Sequence, residues 1–250
     1  NLDYLDGDAV DAALVVGYPG QSGTKSIARV LKGSVNPSGR LTDTYTRDPE
    51  SDPTFANALK TQSTEGDHIH YTEDIYIGYK WYETADAVGY FEAVGTTYDE
   101  SVQYPFGYGM SYASFSQRIT GYSLSTTGSG LLRATRVTVT VEVTNTHAER
   151  SGKDVIQLYC NPPYYDGGIE KPHVMLAAFA KTDMLAPGET KSYELSFRSY
   201  DLASYDAYDA DGDGRTGFIL EDGEYKIFLL GNAHGWKNLS ENDGNTITLT

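Results

Sequence analysis

The chain has 250 residues, and 19 Lys and Arg against 35 Asp and Glu leave it a net charge of −16. That surplus repels phosphate backbones and anionic lipid, and no apolar run approaches the roughly 20 residues of a membrane span, so nucleic-acid and membrane partners are excluded. Cys160 is the single cysteine, which rules out an intrachain disulfide and leaves the compartment open. Taken in chain order, Ala13-Leu14-Val15-Val16 reads as a strand, followed by a Gly-rich turn and a helix whose Ile27, Val30 and Leu31 share one face. Ser22 or Thr24 is placed to cap that helix, and Gly33 stands where a left-handed residue ends it. Strand, turn and helix make the unit of an α/β fold. Arg47 to Gly66, with Pro49, Pro53 and many polar residues, reads as a solvent-facing connection holding one short helix around Phe55 to Leu59.

After Tyr112 the period changes to two. In Val137 to Thr144 the valines alternate with polar residues, the pattern of a half-buried antiparallel strand. The same reading places strands at Val155 to Cys160, Tyr193 to Phe197, Tyr225 to Leu229 and Ile247 to Leu249. Turns fall at Asn145 to Gly152, Ala186-Pro187-Gly188 and Asp222-Gly223. Short strands at this spacing predict a β-sandwich, so the chain as a whole is α+β: a partial α/β segment over residues 1–112 and an antiparallel β-sandwich over 113–250.

Four local patterns invite a chemical reading. Gly17 to Ser26 is Gly-rich and ends in Lys25-Ser26, yet Thr24 intervenes between the last Gly and the Lys, and Pro19 removes a backbone donor. It reads as a strand-to-helix turn rather than a phosphate cradle. Asp209-Ala210-Asp211-Gly212-Asp213-Gly214 has the D-x-D-x-D-G core of a calcium loop, with Glu221 one place beyond the closing position and Asp206 as an extra oxygen ligand. The candidate metal set is therefore Asp209, Asp211, Asp213 and Glu221 around a structural calcium, against the same residues building a plain hairpin turn. His68 and His70 share one strand face without a third zinc ligand at a recognised spacing. Cys160 lies inside a predicted strand and reads as a small core residue. The 21 tyrosines, against 8 Phe and 2 Trp, supply amphipathic rings suited to carbohydrate or protein contacts, although strand propensity accounts for them equally well.

Several blocks, in order, resemble glycoside hydrolase family 3, the β-glucosidase group. They are Tyr18 to Gly23, Ile27 to Gly33 and Val35 to Leu41; then the tyrosine-rich Tyr71 to Tyr82; then Tyr104-Pro105-Phe106-Gly107-Tyr108-Gly109-Met110-Ser111-Tyr112. Val137 to Asn145, Val155 to Tyr159, Leu185 to Glu189 and Asp222 to Tyr225 are similar to the family's terminal fibronectin type III-like domain. The resemblance implies that residues 1–112 complete an α/β sandwich domain and that 113–250 form the fibronectin-like β-sandwich. It implies a retaining exo-acting β-glycosidase, β-glucosidase ahead of β-xylosidase, acting on a β-linked oligosaccharide or glucoside without a catalytic cofactor. Retaining hydrolysis needs two carboxylates about 5 to 5.5 Å apart. In the family the nucleophilic Asp lies on a (β/α)₈ barrel and the acid/base Glu upstream of the Tyr18 block, so no catalytic residue is assigned here and the chain alone is expected to be inactive.

The implied partners are that barrel, on either side of this segment since family members occur with permuted domains, and the remainder of the α/β domain. Without them a sheet edge and an apolar face stay open, which predicts docking onto the missing half or self-association as a homo-oligomer. The loop from Tyr205 to Thr216 is longer than the usual family connection, so calcium is not inherited from the resemblance. The competing functional reading is a non-catalytic β-sandwich module that binds carbohydrate or protein.

Overall fold

In a computed structural model describing residues 2–61, 71–128, 134–210, 212–239 and 244–250, a 3-10 turn at Asp3–Asp6 is followed by the first α-helix, α1 (Gly23–Leu31). Ser22 occupies the position before it in a helical conformation and makes no side-chain cap, so neither anticipated hydroxyl cap forms as a hydrogen bond at that position. The C-terminal end is as expected. Gly33 adopts φ +75°, its N–H donates to the Val30 carbonyl, and the Ser34 N–H donates to Arg29, the paired bonds of a Schellman ending. Ala13 to Val16 form no strand among the described residues, and Leu14, Val15 and Val16 are exposed. A strand exists only through its neighbours, and none lies beside this stretch.

Further along, β1 (Tyr45–Thr46) and α2 (Pro53–Thr61) follow, the latter covering the short helix expected at Phe55 to Leu59. Three helices absent from the sequence reading come next: α3 (Tyr79–Ala87), α4 (Tyr90–Ala93) and α5 (Tyr98–Ser101). Their aromatic residues pack on one another, burying Tyr82, Phe91 and Tyr98 with Ala85 and Val102 in a small core of their own. Strand β2 (Val102–Tyr104) then pairs antiparallel with β1.

The remaining strands are β3 (Phe115–Thr127), β4 (Ala134–Asn145), β5 (Val155–Asn161), β6 (Met175–Lys181), β7 (Thr190–Arg198), β8 (Ser204–Asp206), β9 (Gly217–Ile219), β10 (Tyr225–Leu229) and β11 (Thr246–Leu249). One sheet has the order β3-β4-β7, the facing sheet β11-β10-β5-β6, and β8-β9 forms a separate hairpin. Val137, Val139, Val141 and Val143 of β4 are all buried in the core between the sheets, where Ile156, Leu158, Leu195, Phe197 and Ile227 meet them. Each such side chain contributes about 1.5 to 3 kcal/mol on burial. Cys160 sits in the same core, as anticipated, and burial pushes its thiol up to about 12. All the strands expected after Tyr112 are present. β3 and β6 were not anticipated: β3 is polar on its outward face, and Met-Leu-Ala-Ala-Phe-Ala-Lys carries good helix formers that β5 recruits as an added strand.

Both faces of β5 are covered, and this joins the helices to the sandwich. Gln157, on the face away from the sandwich core, donates to the carbonyls of Gly107 and Gly231 at 3.1 and 2.9 Å and accepts from the Tyr159 hydroxyl. Gly107 has φ +81°, and a Cβ there would meet the Gln157 side-chain oxygen at 2.3 Å. The Tyr104 to Tyr112 motif thus requires glycine at that position because the chain passes directly over β5.

Candidate functional site

Among the described residues, the most concentrated buried chemistry surrounds Glu83. Helix α3 carries this carboxylate into the seam with the sandwich, where it is fully buried. Oε1 accepts from the Tyr98 hydroxyl at 2.6 Å, while Oε2 meets Nδ1 of His234 at 2.8 Å and accepts from Nε1 of Trp236 at 2.7 Å. His234 and Trp236 belong to a 3-10 turn, Ala233–Asn238, that follows β10. The imidazole also stacks on Tyr98, with ring centroids 3.6 Å apart. Burial, together with the adjacent Glu83 carboxylate, drives the Tyr98 phenol far above its ordinary value.

Neighbouring contacts extend the seam. The buried Asp86 carboxylate accepts from the Lys237 ammonium at 2.7 Å, the Thr84 hydroxyl accepts from the His173 N–H, and the Tyr79 hydroxyl accepts from the Leu176 N–H. On the other side of Gly107, Arg40 pairs with Asp154 at 2.5 Å, and Asp154 also accepts from Gln117. Chemically, this is a latch. Buried carboxylates surrounded by donors hold two parts of the chain in one orientation; Glu83 and Asp86 are taken up by these donors, while Asp154, paired with Arg40, borders a cleft of about 390 Å³. Tyrosines of the 71–82 block serve the same purpose: Tyr79 stacks on Phe106 at 4.5 Å, Tyr82 is buried with its hydroxyl donating to Asp52, and Tyr76 donates to Glu170. Tyr71 is exposed. Sequence reasoning missed the Glu83 latch because its partners lie some 150 positions away, with no local spacing to connect them.

The other sequence-derived candidates fall as follows. Gly17 to Ser22 lead without a strand into α1, which takes in Gly23 to Ser26, and a Cβ on Gly23 would stand 2.3 Å from Cβ of Pro19, a close approach that suits the packing role. His68 and His70 lie outside the described residues. So does Asp211 of the candidate calcium set. Asp209, at φ +55°, accepts from the Gly214 N–H at 2.8 Å, and Asp213 accepts from the Arg215 N–H. Asp206 is buried and accepts from the N–H groups of Tyr208 and Ala210. Glu221 is not turned toward these aspartates as an unpaired ligand: its carboxylate pairs with the buried ammonium of Lys171, which a metal would have to displace. Among the described residues, no group of three His, Cys, Asp or Glu is arranged to hold a metal ion. No helix among them is long and apolar enough to cross a membrane.

A short helical segment is thus latched through buried carboxylates onto a β-sandwich. Residues 2–79 match the glycosyl hydrolase family 3 C-terminal domain, and residues 154–233 match the fibronectin type III-like domain. The chain belongs to glycoside hydrolase family 3, and corresponds to the C-terminal part of its β-glucosidase-like members. Beta-glucosidase A of Butyrivibrio fibrisolvens is 35% identical over 234 residues, covering 89% of this chain and 25% of the relative. An exo-alpha-(1->6)-L-arabinopyranosidase of Bifidobacterium longum is 32% identical, with 82% of this chain and 27% of the relative covered. Among solved structures, a beta-glucosidase from Paenibacillus barengoltzii superimposes with a TM-score of 0.70 at 36% identity, covering 91% of this chain and 21% of that one. The chain spans about a quarter of the length of the curated relatives it matches.

Proposed function

We propose that this chain is the bracing portion of a retaining, exo-acting β-glycosidase whose substrates are β-glucosides. The nucleophilic Asp and the acid/base Glu belong, on this reading, to a barrel and to the remainder of the α/β domain in the same protein. The observation that carries it is the match of almost the whole chain to β-glucosidases several times its length. Physical chemistry points the same way. Retaining hydrolysis requires one carboxylate open to the anomeric carbon and a second about 5 to 5.5 Å away beside the leaving oxygen. The buried carboxylates Glu83 and Asp86 are instead taken up by donors, Tyr98 from the same segment and His234, Trp236 and Lys237 from the sandwich. The chain's part is to fix the sandwich against the α/β domain and so hold that domain's active-site edge in place.

The test is an assay of the purified 250-residue chain and of the full protein on aryl β-glycosides. The chain alone is expected to give no turnover above buffer, and the full protein to release aglycone from the β-glucoside. Turnover by the chain alone would overturn the bracing role. Including an aryl α-L-arabinopyranoside in the panel addresses a second reading of the sugar, which the Bifidobacterium relative favours.

A further inference from the structure

We propose that the β8-β9 hairpin and the turn before it carry a binding site for a soluble β-linked glucan chain. Three large aromatic residues are exposed there in one file: Tyr200 at 57%, Tyr205 at 51% and Phe218 at 59%. Tyr205 and Phe218 are direct cross-strand partners with ring centroids 5.2 Å apart, and Phe218 lies 5.9 Å from Tyr200. The guanidinium of Arg198 sits 6.0 Å from the centre of the Tyr200 ring and pairs with Asp201 at 2.5 Å. Asp201 in turn lines a cleft of about 310 Å³ between the edge strands β6 and β7, together with Ser196 and the Phe179 side chain, which is 70% exposed. Aromatic faces left in water side by side, locked by mutual contact, are the mark of a surface that binds something.

The chemistry selects the occupant. Arg198 and Asp201 pair with each other, and the aspartates of the loop joining β8 to β9, in a chain whose net charge is −16, oppose acidic ligands. What remains is apolar ring faces beside a carboxylate, a guanidinium and the Ser196 hydroxyl, matching a neutral ligand with C–H faces and many hydroxyl groups. Ring planes differ by 55° between Tyr200 and Phe218 and by 72° between Phe218 and Tyr205. A flat crystalline surface cannot lie on all three, whereas a single chain that turns along its length can. The choice of β-linked glucose units rests on the proposed function; the ring file and cleft do not.

Affinity electrophoresis of the 250-residue chain through gels containing soluble mixed-linkage β-glucan tests this directly. Retardation is expected, weakened about tenfold in apparent affinity by Tyr200→Ala or Phe218→Ala. Tyr205→Phe should retain binding, and Tyr208→Ala, on the same loop but outside the file, should leave it unchanged. No retardation of the parent chain, or unchanged retardation in the Tyr200→Ala/Phe218→Ala double variant with an intact near-ultraviolet spectrum, overturns the proposal. So does equal binding to crystalline cellulose. Aryl β-glucosidase activity of the full protein is measured separately: activity without glucan retardation removes this inference alone, and retardation without activity removes the glycosidase reading alone.

Discussion

Replacing Glu83 by Ala would break the seam at its centre. The carboxylate is fully buried, and its loss leaves the Tyr98 hydroxyl, the His234 Nδ1 and the Trp236 Nε1 facing a cavity, three donor positions at 2.6 to 2.8 Å from atoms no longer there. A hydrogen bond to a charged group contributes about 1.5 to 3 kcal/mol, and removing one partner of a buried charged cluster costs about 3 to 5 kcal/mol. The three bonds are not additive, since they converge on two oxygens of one group, so about 3 to 5 kcal/mol is the expected total. For a chain of this length that corresponds to a fall of about 10 °C in Tm. Glu83→Gln keeps the shape and one acceptor but sets an amide NH₂ against a donor, and should lose about half as much. The assay is urea unfolding followed by tryptophan fluorescence, in which Trp236 reports the latch and Trp81, packed against α3's aromatic cluster, reports the helical core. An Ala variant less than about 1 kcal/mol below the parent would refute the assignment of Glu83 as the latch.

Four further outcomes are expected. Burial lowers the His173 pKa in the fold, although the Glu83 and Asp86 carboxylates oppose this, so its neutral form is favoured when folded. Stability should accordingly be full above the ordinary value of 6.5 and fall as pH drops from there to the lowered value; His173→Gln should flatten that part of the pH-stability curve, and an unchanged slope would contradict the assignment. Cys160, its thiol pushed up to about 12, should resist a disulfide reagent at pH 8 in the folded chain and react at once in denaturant. Melting in calcium and in chelator tests the aspartate loop: with Glu221 held by Lys171, equal melting temperatures are expected, while a rise in calcium that Asp211→Ala abolishes would establish the metal set. Leu31, 72% exposed on α1, and the exposed Val15 and Val16 should drive concentration-dependent association seen by light scattering; Leu31→Glu should reduce it, and a monomer at every concentration would contradict the reading.

The strands of the sandwich were legible because their information is local. Val137 to Val143 alternate with polar residues, and the structure buries those four valines while half-burying Thr138, Thr140 and Glu142 between them. Gly33 announced the end of α1 for an equally local reason, since few residues tolerate φ +75°. Ala13 to Val16 show the opposite. Their composition is that of a buried parallel strand, and they form none because strand structure depends on hydrogen bonds to neighbours that the described residues do not supply. Helix α3 was hidden by its aromatic residues, which favour strands in isolation and became helical where Tyr82 and Ala85 found a shared core.

By itself, then, the sequence determined the periodicities, the turn glycines, the acidic surface and the ordered blocks that place the chain in its family, all of them properties of residues a few positions apart. Only the tertiary structure decided which carboxylates are latched and which are available. It turned Glu221 toward Lys171, set Glu83 against His234 and Trp236, and lined up Tyr200, Phe218 and Tyr205 in water. The physical reason is that a carboxylate or an aromatic ring acquires its role from burial and from partners, and those are brought together by the packing of strands and helices far apart in the chain.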